Sequence, residues 1–327
     1  MAKLIGRKFN IVIVTDTTRG TAVAAAYWLP KLDASLDEKI EYATDETSVG
    51  VIADAQGQDI TKKISEGSIS GRIADTSFGL WLIATFGTAS APAAILSAFD
   101  HTFTVLESAQ HPSLTVSVTG ANENAGNGLR YTLGSVDNLE INFELGKYAE
   151  YKVGFRGNKS ATATNTASFT AENVFLPQHG SVKFATNLAG LTGASAIQIK
   201  KATLKFSKNI EDDQVIGTLD SIDRLNKQFA VEGSIELMYE DRTYIDTIML
   251  GDLQRALRIA FTNTDVTIGS TNPAITFDMA KVKLTEVARS MSNNDLMKQT
   301  LNFKAYYSIT DSSMITCVLR NTRATQY

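Results

Sequence analysis

The chain has 327 residues, 43% of them hydrophobic and 20% charged, with 31 basic and 35 acidic side chains for a net charge of −4. This is the composition of a folded, soluble protein with room for about two domains; it excludes a disordered chain and lacks the basic footprint of tight nucleic-acid binding. A single cysteine, Cys317, excludes an internal disulfide framework and a cysteine zinc site and fits a reducing cytoplasm, while no apolar run reaches the ~20 residues of a membrane helix.

Residues 1–34 read as an N-terminal arm, basic through Lys3, Arg7, Lys8 and Arg19, with an apolar stretch at 22–28. Residues 11–14 are too short for a signal-peptide core. The arm is expected either to pack on the body as a strand or short helix, or to dock on a neighbouring subunit. Removal of residues 1–20 is expected to impair polymerisation and leave the secondary structure intact. Residues 35–62 are acidic and turn-rich, with Asp45, Glu46, Asp54 and Asp59 around an extended 49–52, as in a long exposed loop or hairpin.

The stretch Glu66-Gly67-Ser68-Ile69 follows, and it returns as Glu232-Gly233-Ser234-Ile235. In both copies apolar and polar residues alternate up to a shared Asp, Asp75 or Asp241, and the spacing then turns helical. Ser77 or Asp75 is the expected cap of the first helix; Thr243-x-x-Asp246 reads as a capping box for the second. Each half thus carries a strand running into a capped helix, and fixed-offset similarity of this kind implies a duplicated unit. An acidic loop precedes the second copy at 209–227, with Glu211, Asp212 and Asp213. Such charge runs are ordinarily solvated surface; two in matching places suggest contacts between subunits.

Residues 101–156 alternate cleanly as an antiparallel meander, with a turn cluster at 122–128 and a tight turn at Gly146-Lys147. The small, polar stretch 157–196 marks a boundary near 175. Beyond it, the parity of apolar residues changes near Lys200-Lys201, as at a β-bulge. Leu301, Phe303, Ala305, Tyr307 and Ile309 form the cleanest strand, and 314–319 closes the sheet. The expected architecture is mainly β, with an arm over 1–34 and two tandem β-sandwich or barrel domains, 35–175 and 176–327, each with one flanking helix.

No catalytic constellation is visible. His101, His111 and His179 form no metal-ligating pair, and Cys317 sits in an apolar strand. Neither a nucleophile elbow nor a phosphate loop occurs. Glu211-Asp212-Asp213 lacks the alternating ligands of a calcium loop, and Glu140 and Glu144 share a strand face by alternation alone. No cofactor is expected.

Three stretches are similar to the tail tube (major tail) proteins of long, non-contractile-tailed bacteriophages. They are the Glu-Gly-Ser-Ile strand leading to Asp75 and 78–87, then His101-Thr-Phe-Thr with 112–116, and 301–308 with 315–321. The resemblance implies a structural virion protein without catalysis, whose rings close their sheets into an inner barrel and stack into a tube. It implies as partners further copies of the chain, the tape-measure protein and other tail proteins, with DNA passing through the lumen unbound. With duplication, a trimeric, pseudo-hexameric ring is the first expectation and a hexameric ring the alternative. Contacts are expected from the arm (Lys3, Arg7, Lys8, Arg19), the acidic loops (Asp45, Glu46, Asp54, Asp59, Glu211, Asp212, Asp213) and strand edges. Two rival readings remain: a carbohydrate- or host-binding β-sandwich of a tail tip or fibre, and a β-rich hydrolase.

Overall fold

A computed structural model describes residues 5–24, 27–120, 128–293 and 296–327. The turn cluster expected at 122–128 falls, but for its last residue, outside the described residues. The chain is mainly β. In the first half the strands are β1 (Asn10–Thr15), β2 (Tyr27–Leu29), β3 (Lys31–Asp45), β4 (Gly57–Arg72), β5 (Gly87–Ala89), β6 (Ala93–Ile95), β7 (Ala98–Val105), β8 (Leu114–Thr119), β9 (Gly128–Glu144), β10 (Glu150–Gly157) and β11 (Ala161–Ala163). The second half contributes β12 (Gly180–Ala185), β13 (Lys201–Ser207), β14 (Ile210–Asp213), β15 (Asp223–Asn226), β16 (Ala230–Met238), β17 (Arg255–Thr262), β18 (Ala274–Ser290), β19 (Lys298–Tyr306) and β20 (Ile315–Asn321).

Eight strands form one continuous antiparallel wall in the order β3-β4-β10-β9-β13-β16-β19-β18. The pairing order is the same on either side of the β9·β13 contact. Gly67 lies opposite Phe155 on β10, and Gly233 lies opposite Phe303 on β19. β9 carries one extra residue, Asp137, between the partners of Gly154 and Phe155; β18 carries one extra residue, Thr285, between the partners of Asn302 and Phe303. Upstream of these bulges, beyond Ser135 on β9 and Lys281 on β18, both long strands leave the wall and join a second layer. There β9 pairs with β8 and β11, and β18 pairs with β17 and β20. Irregularities recur here too, between Leu114 and Val116 and between Arg255 and Leu257. Bulges add twist and bend a strand, which lets one strand serve both layers.

The apolar faces of both layers meet in one core running through both halves, with Ile69, Leu139, Val153, Leu204, Ile235 and Leu301 at its centre. In the segment read as an arm, β1 pairs with β8 and buries Ile11, Val12 and Ile13. Deletion of residues 1–20 would therefore remove a core strand, and the expectation that it spares secondary structure is corrected.

α1 (Phe78–Phe86) buries all nine residues, consistent with an apolar surface on every side. It ends at Gly87, whose φ of 90° is the left-handed conformation that glycine adopts without strain. The expected capping is corrected in both halves. Ser77 is the N-cap position but its hydroxyl makes no capping bond; Glu172, distant in sequence, accepts from the Ser77 N–H at 2.8 Å and the Ser77 hydroxyl at 2.7 Å. Asp75 instead accepts from Asn173. The second helix is a single π-helical stretch, Tyr244–Met249, where Thr243 makes no side-chain cap and Asp246 pairs with Arg242. The parity change near Lys200-Lys201 is the beginning of β13 and not a bulge, since Ile197 instead bridges Val182.

Candidate assembly surfaces

The wall has one internal junction and two free edges. At the junction, β9 and β13 pair from Lys201–Glu144 through Leu204–Ile141 to Ser207–Asn138. Leu204, Phe206, Leu139 and Ile141 are buried there, and the Thr203 hydroxyl donates to Asn142 Oδ1 at 2.8 Å. Among the described residues, β3 pairs only with β4 at one end of the wall, and residues 283–290 of β18 pair only with β19 at the other, Val282 pairing also with Arg255 on β17. Open edges carry unpaired N–H and C=O groups, which are templates for another strand.

The repeated glycines allow close approach at corresponding places. A Cβ on Gly67 would sit 1.8 Å from the Ser35 carbonyl oxygen, and one on Gly233 would sit 2.3 Å from that of Thr203. Ala34-Ser35-Leu36 on β3 thus stands to β4 as Ala202-Thr203-Leu204 stands to β16. That likeness was present in the sequence; the distance from each glycine and the intervening acidic residues obscured it.

The acidic loops expected as contacts have two different fates. Asp45, Glu46, Asp54 and Asp59 lie exposed along the far end of the β3–β4 hairpin, together with Val51 and the fully exposed Ile52. Glu211 is exposed and pairs with Lys227 at 2.8 Å. Asp212 is buried between Lys62 Nζ at 3.0 Å and Arg224 at 3.1 Å, and Asp213 pairs with Asp223 across the β14–β15 hairpin. Arg19 is half-buried, 2.5 Å from Asp223, and also donates to the carbonyls of His111 and Arg224. Asp212 and Arg19 therefore fasten the β14–β15 hairpin to the first half within one chain. Arg7 and Lys8 are exposed; Lys3 lies outside the described residues.

Sequence reasoning missed a buried cation. Lys208 is fully enclosed and donates to the Ala84 carbonyl at 2.8 Å. Burial, with Arg19 nearby, pushes its ammonium down to about 7. Burial likewise drives His111 down to about 4, with Lys208 adding to the effect.

The remaining polar clusters look structural. His179 Nε2 lies 3.0 Å from Asp265, and its Nδ1 accepts from the Leu176 N–H. His101 lies against Asn321 and the Arg323 carbonyl. Burial raises the Cys317 thiol well above its ordinary value, opposing thiolate chemistry. Among the described residues, no group of three or more His, Cys, Asp or Glu side chains is placed to hold a metal ion. Among them, too, no helix is long and apolar enough to cross a membrane.

Comparison with curated proteins returns no match. A family model described as phage tail tube protein matches residues 6–305, nearly the whole of a chain whose sheet ends in two open edges, and the chain belongs to that family.

Proposed function

We propose that the protein is the repeating subunit of the tail tube of a long, non-contractile-tailed phage, forming stacked rings that conduct the genome into the host. The observation that carries this reading beyond family membership is the repeated pairing order, with matching bulges at Asp137 and Thr285. On this reading the chain is two tail-tube units, 35–175 and 176–327, preceded by an arm. Three copies then supply six units, and a trimeric ring has pseudo-sixfold symmetry. Eight wall strands from each copy give a barrel of about 24 strands. At ordinary strand spacing and a tilt of 35–45°, its backbone diameter is roughly 45–50 Å, wide enough for a DNA duplex. The net charge of −4 suits a conduit that DNA passes without binding. Stacking between rings is assigned to the exposed hairpin end with Asp45, Glu46, Asp54 and Asp59, and to the basic N-terminus. The tape-measure protein occupies the lumen before ejection, and assembly takes place in the host cytoplasm.

Electron microscopy of the purified protein at rising concentration tests this. Hollow rings or tubes with three chains around the axis are expected. Dispersed monomers at every concentration, with saturable glycan binding, would replace this reading with that of a host-binding module.

A further inference from the structure

We propose that β3 of one copy pairs with residues 283–290 of β18 in the next, in the register of the internal β9·β13 junction. The inference rests on the ring reading above and adds to it the seam and its residue pairing.

The register follows from the wall. Gly67 and Gly233 correspond, so Leu36 stands where Leu204 stands, with Ser35 for Thr203 and Lys39 for Ser207. The bulges at Asp137 and Thr285 correspond, so Glu286 stands for Asn138, Val287 for Leu139, Arg289 for Ile141 and Ser290 for Asn142. Transferring the β9·β13 pairs sets Lys39 of one copy opposite Glu286 of the next, Leu36 opposite Arg289, and Ser35 opposite Ser290.

Three observations favour a second copy as the occupant. Charge is complementary: β3 carries Asp33, Asp37, Glu38, Glu41 and Asp45 against Lys31 and Lys39, whereas 283–290 carries Lys283 and Arg289 against Glu286. Opposite charges across strands favour pairing, and like charges oppose it. Burial is incomplete where the internal junction completes it: Leu204 and Ile141 are buried, whereas Leu36 is only half-buried and Arg289 is exposed. Shape also fits. Phe143, next along β9, packs its ring 4.8 Å from Phe261 on β17. Its counterpart Met291 is 65% exposed. A concavity of about 1140 Å³ beside β3, lined by Phe9, Val118, Leu129 and Leu36 among others, lies where Met291 of the neighbouring copy would enter.

The Ser35–Ser290 pair is suited to a direct test. In the internal junction, Lys200–Leu145 and Lys208–Asp137 are hydrogen-bonded. Alternation then makes Thr203–Asn142 a non-hydrogen-bonded pair, with Cα atoms about 4.5 Å apart, within disulfide range. The double variant Ser35→Cys/Ser290→Cys, assembled and then oxidised, should lose its monomer band on non-reducing electrophoresis to species of two and three chains. Each single variant should remain monomeric under the same conditions, and Cys317 is buried. A control with Ser35→Cys/Ala288→Cys places the thiols two residues out of register and should cross-link at least tenfold less.

Rings seen by microscopy in which Ser35/Ser290 does not cross-link, or in which the control links equally well, would overturn the seam and leave the ring intact. Neither rings nor cross-links at any concentration would overturn both. As a second measurement, Glu286→Lys should raise the concentration needed for rings, and Lys39→Glu/Glu286→Lys should bring it back. Failure of that rescue, with the single variant impaired, would overturn the register.

Discussion

Replacing Lys208 with Met should make the subunit more stable, and more so in acid than in base. Lys208 is enclosed with, among the described residues, the Ala84 carbonyl as its hydrogen-bond partner, and its ammonium falls from 10.5 to about 7, chiefly through burial. That difference corresponds to a penalty on the order of 5 kcal/mol for burying the charge. Below pH 7 the amine is protonated in both folded and unfolded chains, so the full penalty applies. Between pH 7 and 10.5 the folded chain sheds a proton that the unfolded chain keeps, so stability rises with pH and the penalty fades. Methionine fills a similar volume without charge, but leaves the Ala84 carbonyl unpaired, at roughly 1–3 kcal/mol. The variant should therefore gain about 2–4 kcal/mol at pH 6 and lose roughly 1–3 kcal/mol at pH 10.5. Urea unfolding of dilute monomer, followed by fluorescence of Trp28 and Trp81, reads both values. A variant less stable than the parent at pH 6, or an advantage that does not change with pH, would refute the reasoning.

Four further outcomes are expected. His111 is held near 4 by burial, so it contributes stability that is lost as pH falls from 6.5 towards 4; His111→Asn should flatten that part of a pH–stability curve. Asp75 and Glu172, both raised by burial, act in the opposite direction and set a floor to the flattening. Gly67→Ala forces a Cβ to within 1.8 Å of the Ser35 carbonyl and should lower stability by about 3 kcal/mol or more, read as a depressed melting temperature; an unchanged melt would mean that β3 can move aside. Removing Tyr327 should destabilise by roughly 2–4 kcal/mol, because its ring packs 4.8 Å from His101 and its hydroxyl donates to the Thr76 carbonyl at 2.7 Å. Truncation before Phe9 should leave the melt unchanged.

Most of the strands were legible because alternation is a local signal. β9, β10, β18 and β19 carry one apolar face at a period of two, and the paired Glu-Gly-Ser-Ile stretches mark β4 and β16. What escaped depends on partners distant in sequence. Glu172 caps α1 from across the fold, and Tyr327, beyond the last strand, docks beside Gly79. Asp212 reads as surface charge until Lys62 and Arg224 are brought to it. Lys208 follows an apolar strand and is indistinguishable there from a solvated lysine. The second helix shows the reverse error: its spacing is helical and its capping residues are conventional, yet only Ile245 and Ile248 find burial. It winds wider, the Leu250 N–H bonding to the Ile245 carbonyl five residues back.

The β9·β13 junction has a consequence for how such a ring divides its labour. In a ring of identical single units, every seam has one composition, which must be strong enough to hold and weak enough to correct a misplaced copy. Here one seam of each pair is made during folding of a single chain, and it is apolar and buried through Leu139, Ile141, Leu204 and Phe206. The other, on the proposed register, is charged through Lys39, Glu286 and Arg289, and so is sensitive to salt. Permanence and reversibility are thereby separated onto different strands of one molecule. In the proposed trimer half of the seams are closed before two copies meet, and a ring loses translational and rotational freedom in two associations instead of five.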